Sequence, residues 1–548
     1  MVGILIGAIR VSLDADRAEI LKKAKDKMKR VGLSTAALHF RLYKKSVDAR
    51  RREEVHFECA VLAEGEIDRK AYPESLLKRA DARFLEDEPL TLTFGTEQMT
   101  KPPLVVGMGP AGLFAALLLA RNGYAPILID RGGSVEERVR DVERFRKHGI
   151  LHTESNIQFG AGGAGTFSDG KLVTRIHDPR ASFVLNTLCE FGAPEEILYK
   201  AKPHVGTDLL RGIVSSMLAE IERLGGRLYY HCKLESFSEL SDGTLEIQTN
   251  QGGFSCGALI LAPGHSSRDT YTLLLEKNFA IEPKPISVGV RAEHLQEDID
   301  RALYGRFAGH KNLGPAEYAL SDTKGARGVY TFCMCPGGEV VAASSEEGGL
   351  VVNGMSNHAR NGRNANAAVL VSVGCNDFQA VNGSLALGAI EFQRRIERAA
   401  YLAGGGGYVA PIMTVGDFLN GRHGTAPTRV RPSFRDGLVR PADFEAVFPA
   451  FVTESLRYAL SSFGKRIAGY DAPDAVLTAA ETRTSAPLRI LRDRDTLCAL
   501  GHSRIYPCGE GAGYAGGITS AAVDGLRTAQ ALMARFAPIA ENGTGGCI

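Results

Sequence analysis

The segment Gly107-Met-Gly109-Pro-Ala-Gly112 constrains this chain more than any other feature, because of what flanks it. A short apolar run, Leu104–Val106, precedes it. An apolar helical stretch, Ala111–Asn122, follows, and Asp130 closes the next apolar run, Pro126–Ile129. Strand, glycine turn, helix and strand with a terminal acid form the β-α-β unit that binds a dinucleotide. Gly107 permits the tight turn, Gly109 lets a pyrophosphate approach the backbone, and Gly112 lets the helix pack on the sheet. Pro110 and Ala111 open a helix whose free N–H groups and partial positive charge suit a phosphate, and Asp130 suits ribose hydroxyls.

Two further segments repeat the G-x-G-x-x-G pattern in different settings. Gly160-Ala-Gly162-Gly163-Ala-Gly165 follows no buried strand and runs into Thr166-Phe-Ser168-Asp-Gly, which is turn chemistry. Gly511-Ala-Gly513-Tyr-Ala-Gly516 follows a strand, Ile505–Cys508, and precedes a helix, but no later strand with a terminal acid can form. It must complete a domain begun earlier, with Gly516-Gly517-Ile518 offering helix N-terminal N–H groups. On composition alone, surface turns remain an alternative for these two loops. One extended ligand touching all three segments accounts for them together, and non-covalent FAD fits that better than NAD. Glycine is the one unusual component, 62 of 548 residues, roughly 11% against about 7% in ordinary chains.

The other bulk properties exclude more than they assign. A net charge of +2 gives no global field of the kind that marks a nucleic-acid binder. Ten cysteines without a CxxC pair argue against a disulfide scaffold or zinc ribbon and for a reducing compartment. The apolar start MVGILIGAIR is too short for a signal-peptide core, Cys547 does not form a prenylation box, and no run approaches the ~20 residues of a membrane span. The expectation is a cytoplasmic enzyme, without metal or membrane, acting on a small-molecule substrate.

The order of elements divides the chain. Residues 1–96 read β-α-β-β-α-β: strands at Ile4–Leu13, Ala37–Lys44, Val55–Leu62 and Pro89–Phe94, helices at Asp16–Val31 and Pro73–Asp81. That is the ferredoxin-like α+β order. Thr100–Pro103 reads as a linker. Residues 100–275 carry the first part of the nucleotide domain, including the strand Arg227–Leu234. Residues 276–495 form an inserted α+β substrate domain, rich in short strands to about 380 and in helices from 384 to 465, and residues 496–548 complete the nucleotide domain.

The residues quoted above resemble the two-dinucleotide-binding-domain flavoproteins of the glutathione reductase superfamily. Within that group the chain resembles the bacterial FAD-dependent dehydrogenases labelled NAD(FAD)-utilising. The resemblance rests on VVGMGPAGLFAALLLARNG (105–123), ILIDRGGSVEERVRDV (127–142), SNIQFGAGGAGTFSDGKL (155–172), LAPGHSSRDT (261–270), ETRTSAPLRI (481–490) and YPCGEGAGYAGGITSAAVDG (506–525), with a long stretch at 328–366. It implies a Rossmann-like FAD-binding domain holding FAD in an extended pose. Asp130 and Arg131 would face the adenosine ribose, and the loop holding Gly163, Gly165, Thr166 and Ser168 the ribityl and isoalloxazine. Leu234 would meet adenine, and Gly264 belongs to the crossover. Gly509 and Glu510 would lie at ribitol, and Gly516–Ile518 at the flavin carbonyl edge. Asp130 stands where Glu is commoner and Glu510 where Asp is usual.

The reaction is less legible. No second strand-glycine-helix unit supplies a stable NAD(P) domain, so either NAD(P)H enters transiently as electron donor or an organic substrate is oxidised directly. Cys335 in Cys333-Met-Cys335 offers thiol chemistry, although cysteines two apart on one strand face would form a strained disulfide. His358 is a candidate acid or base, and Arg483 a candidate anion ligand or a structural ion pair. Glu346-Glu347 reads as a solvated turn. The stretch Arg41–Arg52, with six basic residues and one acid, offers an alternative function, an RNA-associated flavoprotein.

Overall fold

The computed structural model describes residues 2–86 and 90–538 as a mixed α/β structure. At its N-terminal end, Asp16 accepts from the Glu19 N–H at 2.8 Å and starts the helix Arg17–Arg30, which buries Ile20, Ala24 and Met28 one turn apart. That stripe lies on an antiparallel sheet ordered His39–Asp48, His56–Glu64, Val2–Val11, Ala82–Glu86. The last strand is not the expected Pro89–Phe94. It begins directly after the helix Glu74–Arg79, while residues 87–89 lie outside the described residues. Residues beyond them run instead along the C-terminal helix, where the Gly95 N–H donates to Met533 O at 2.8 Å and the Glu97 carboxylate pairs with Arg504 and Arg535.

The central sheet is parallel, ordered Ile505–Pro507, Leu259–Leu261, Leu104–Val106, Ile127–Ile129, Arg227–Tyr229. Four of these three-residue strands are buried throughout, as strands covered on both faces require. Their carboxyl ends share one edge, since Val106 pairs with Leu261 and Ile129, and Leu261 with Pro507. The expected strand Arg227–Leu234 is two elements. It breaks at His231, whose φ is +53°, and Leu234–Glu239 joins a separate three-stranded antiparallel sheet.

Strands between residues 286 and 481 build a seven-stranded sheet ordered Ser321–Asp322, Val329–Cys335, Asn364–Val373, Ile286–Leu295, Val476–Glu481, Ala410–Thr414, Val439–Pro441. Every residue of Ile286–Leu295 is buried, since helices and further strands cover both faces. The helices Leu385–Ala403 and Ala450–Gly464 match the helical expectation for 384–465. The fully buried strand Ala410–Thr414 between them does not, and its apolar run is better satisfied inside the sheet.

Candidate functional site

All loops leaving the carboxyl edge of the parallel sheet converge on one cleft, the position where open α/β sheets bind ligands. Gly107 turns at φ +100°, and a Cβ there would lie 2.2 Å from Ala262 O, so this glycine is required by the crossover strand packed beside it. The Asp130 carboxylate accepts from the Met108 N–H at 2.8 Å and the Gly132 N–H at 2.9 Å, which clamps the turn to the second strand. The helix Pro110–Arg121 has no side-chain cap at its N-terminus, leaving its first N–H groups for a ligand.

The other glycine segments join this turn physically. A Cβ on Gly163 would come within 2.8 Å of Gly109 Cα, and one on Gly165 within 3.0 Å of Ile518 Cγ1. Tyr271 donates its hydroxyl to Gly511 O at 2.8 Å and Gly264 O at 3.2 Å, tying the crossover to the third loop. Beneath the second loop, the fully buried Arg138 guanidinium donates to Asn156 O at 2.9 Å, Gly163 O at 3.1 Å and Ala161 O. The sequence reading missed this residue, although it lies within the ILIDRGGSVEERVRDV motif.

Most of the expected cofactor residues line the cleft: Gly107, Gly109, Pro110, Ala111, Asp130, Arg131, Gly163, Gly165, Ser168, Leu234, Gly264, Glu510, Gly516, Gly517 and Ile518. Gly112, Thr166 and Gly509 lie behind it. A Cβ at Gly112 would meet Gly107 O at 1.9 Å, the Thr166 carbonyl accepts from the Thr207 hydroxyl, and the Gly509 N–H donates to Asp524. Arg131 turns partly away, pairing with Asp269 at 2.8 Å and stacking over Phe159.

The far wall comes from the inserted sheet: Phe332, Cys333, Asn353, Glu481, Arg483 and Thr484, with Lys171 beside them. Here Cys333 stands in the cleft while Cys335 is buried behind it. The strand slips register between Phe332 and Cys335 and Cys333 has φ +42°, so the regular alternation expected along this strand is interrupted between the two cysteines. A hydrogen bond from Cys335, followed by the Arg291 and Lys171 charges, holds the Cys333 thiol below its ordinary pKa, and the Cys335 thiol is raised correspondingly. Arg291 is itself fixed by Glu481 at 2.6 and 3.1 Å. Burial pushes Glu510 up to about 7, with the Lys284 ammonium opposing.

Arg483 borders the cleft, but its guanidinium is engaged by Glu397 at 3.0 Å, which also holds Arg268 at 2.7 Å. Glu346 completes that network with Arg268 and Arg394, so of the expected solvated turn only Glu347 is exposed. His358 lies outside the cleft, its Nδ1 3.0 Å from Val205 O. In the basic N-terminal stretch, Arg41 pairs with Glu64 and Arg50 with Asp48. Among the described residues, no metal-binding cluster occurs and no helix is long and apolar enough to cross a membrane.

Residues 285–484 match the family model described as FAD-dependent protein, C-terminal domain-like, which together with the glycine-lined cleft supports an FAD-dependent flavoprotein. Over 542 residues the chain is 46% identical to an uncharacterized protein of Clostridium beijerinckii, covering 97% of this chain and 99% of that one. The chain belongs to the same family as that clostridial protein. Among solved structures, CtdE in complex with FAD aligns at 12% identity and TM-score 0.30, covering 80% of this chain and 82% of the other. The halogenase PltM aligns at 12% identity and TM-score 0.37, covering 78% and 68%.

Proposed function

We propose that this protein is an FAD-dependent oxidoreductase of the glutathione-reductase-like plan. A Rossmann-like FAD domain (100–275 and 496–548) carries an inserted substrate domain (276–495) and a ferredoxin-like N-terminal domain (1–96), and the enzyme acts on a small organic substrate. One observation carries this reading: three glycine segments far apart in sequence meet in one cleft that ends on the inserted sheet.

The cleft suits FAD on its own chemistry. Gly107, Gly109 and the uncapped helix N-terminus would hold the pyrophosphate, Asp130 the ribose and Leu234 the adenine edge, since all of them line the cleft and the helix leaves its first N–H groups free. Gly264, Gly516 and Gly517 face open space, and the helix Ile518–Arg535 also begins without a side-chain cap. FAD bound there supplies hydride or electron transfer.

The remaining residues act on the substrate side. Lys171 and the buried Arg291 favour negative charge near Cys333, which makes the thiol a nucleophile or a hydrogen-bond acceptor for substrate. Glu510, with its carboxyl near 7, can hold or release a proton at neutral pH. NAD(P)H is the proposed transient donor, entering the same cleft. The test is direct. Purified protein should keep flavin absorbance through gel filtration and bleach anaerobically with NADH, NADPH or a metabolite; a colourless protein that takes up no FAD overturns the reading.

A further inference from the structure

A second cavity, of about 640 Å³, lies between the N-terminal sheet and the rest of the molecule. That volume is within the range of small-molecule sites. Its seam is fixed by backbone: the Lys45 N–H donates to Tyr199 O at 2.7 Å, and the Ala201 N–H donates to Lys45 O at 2.9 Å. Five cationic side chains line it against two carboxylates, Glu196 and Glu317. Both carboxylates are already engaged, Glu196 by Lys200 at 2.7 Å and Glu317 by Arg360 and Lys202.

Lys45 and Lys311 are therefore left over. Among the described residues neither forms an ion pair: Lys311 is exposed, and the half-buried Lys45 ammonium rests over the Phe57 ring, 3.9 Å from its centroid, with Glu196 near it but not in contact. Burial lowers the Lys45 pKa, with Lys200 adding to the shift and Cys59 and Glu196 opposing it. A partly desolvated cation without an anion is costly unless something fills that role. Tyr199 and Tyr304, which line the same cavity, suit an organic portion beside the charge.

We propose that this cavity binds a small organic molecule carrying a phosphate group, held by Lys45 and Lys311. The cavity also connects to the first cleft. The buried Asp169 carboxylate is shared between Arg360, which lines the second cavity, and Lys171, which lines the cleft. An anion that draws on Arg360 loosens its hold on Asp169, and Asp169 then binds Lys171 more firmly. Occupancy of one cavity is thereby felt at the other. Phosphate binding itself does not rest on the FAD reading and stands if the first cleft holds another cofactor.

The experiment titrates the full-length protein with inorganic phosphate, 5′-AMP and 2′,5′-ADP by calorimetry at constant ionic strength. One saturable site is expected, weakened about tenfold or more in Lys45→Gln and in Lys311→Gln, as loss of a charge-assisted hydrogen bond implies. Tighter binding of a nucleotide than of inorganic phosphate assigns an organic ligand, and tighter binding of 2′,5′-ADP than of 5′-AMP assigns one with a second phosphate. Absence of saturable binding by all three, affinities unchanged in both variants, or no preference for a nucleotide over inorganic phosphate overturns the proposal. A measurement on the unmodified protein guards against misfolded variants. Acetylation of Lys45, mapped by mass spectrometry, should slow in the presence of 5′-AMP, and an unchanged rate counts against the site.

Discussion

Gly525 on the closing helix lies where a Cβ would come within 2.1 Å of the Ala111 carbonyl oxygen. The missing side chain lets the helix Ile518–Arg535 lie directly on the helix Pro110–Arg121, so both uncapped N-termini open on the same cleft. Gly525→Val forces these helices apart. It should destabilise the protein by about 1–3 kcal/mol or more and release flavin at temperatures where the parent retains it, as read by thermal unfolding followed through flavin fluorescence.

Asp130 holds the fingerprint turn through two backbone N–H groups, those of Met108 and Gly132. Asp130→Ala leaves both donors without their acceptor, at about 1–3 kcal/mol for each buried group. FAD affinity should fall at least tenfold, measured by fluorescence titration of the apoprotein. Asp130→Asn, which keeps one acceptor oxygen, should fall between the two.

Glu510 binds its proton more tightly in the folded chain than in the unfolded one, since burial raises its carboxyl to about 7. Its contribution to stability is therefore most favourable at low pH and declines as pH rises from the ordinary carboxylate range through 7. Glu510→Gln is neutral throughout. Its melting temperature relative to the parent apoprotein should rise progressively between pH 5 and pH 8, and a constant difference across that range contradicts the assignment.

Cys333 and Cys335 should differ in reactivity. Cys333 faces the cleft, and the Cys335 hydrogen bond and the Arg291 and Lys171 charges favour its thiolate. At neutral pH iodoacetamide should modify Cys333 before the other described cysteines, as peptide mapping would show, and bound FAD should slow the reaction. Preferential labelling of Cys335 would contradict its burial behind Cys333.

Glu397 neutralises two buried guanidinium groups, Arg268 and Arg483, and these hold it well below the ordinary carboxylate range. Its stabilisation is present above that range and is lost as pH falls toward the folded value. Glu397→Gln leaves the buried Arg483 with no carboxylate nearer than Glu346 at 4.0 Å, and Arg268 with Glu346 alone, and should cost about 3–5 kcal/mol, measured by denaturant unfolding at neutral pH.

The readable parts of this protein were those whose physics is local. The fingerprint glycines, Asp130 at the end of the following strand and the amphipathic helix Arg17–Arg30 each follow from residues within a few turns of one another. Where contacts at long sequence separation competed, local reading failed. Residues after 89 were drawn onto the C-terminal helix by Met533 and Arg535 instead of pairing with the N-terminal sheet. The apolar run Ala410–Thr414 entered a sheet by pairing with Val476–Glu481, a strand more than sixty residues later in the chain. Arg483 met Glu397, a partner no spacing rule connects to it.

By itself, the sequence determined that a β-α-β nucleotide unit would form and that its glycines would be indispensable, because a turn at positive φ beside a helix N-terminus needs only its own neighbours. Only the tertiary structure decided which residues share the cleft. Parallel strands far apart in the chain end on one edge, so Gly107, Gly163 and Gly517 meet there with Cys333 from the inserted sheet. Of the two cysteines on that strand, Cys333 reaches the cleft while Cys335 is buried behind it.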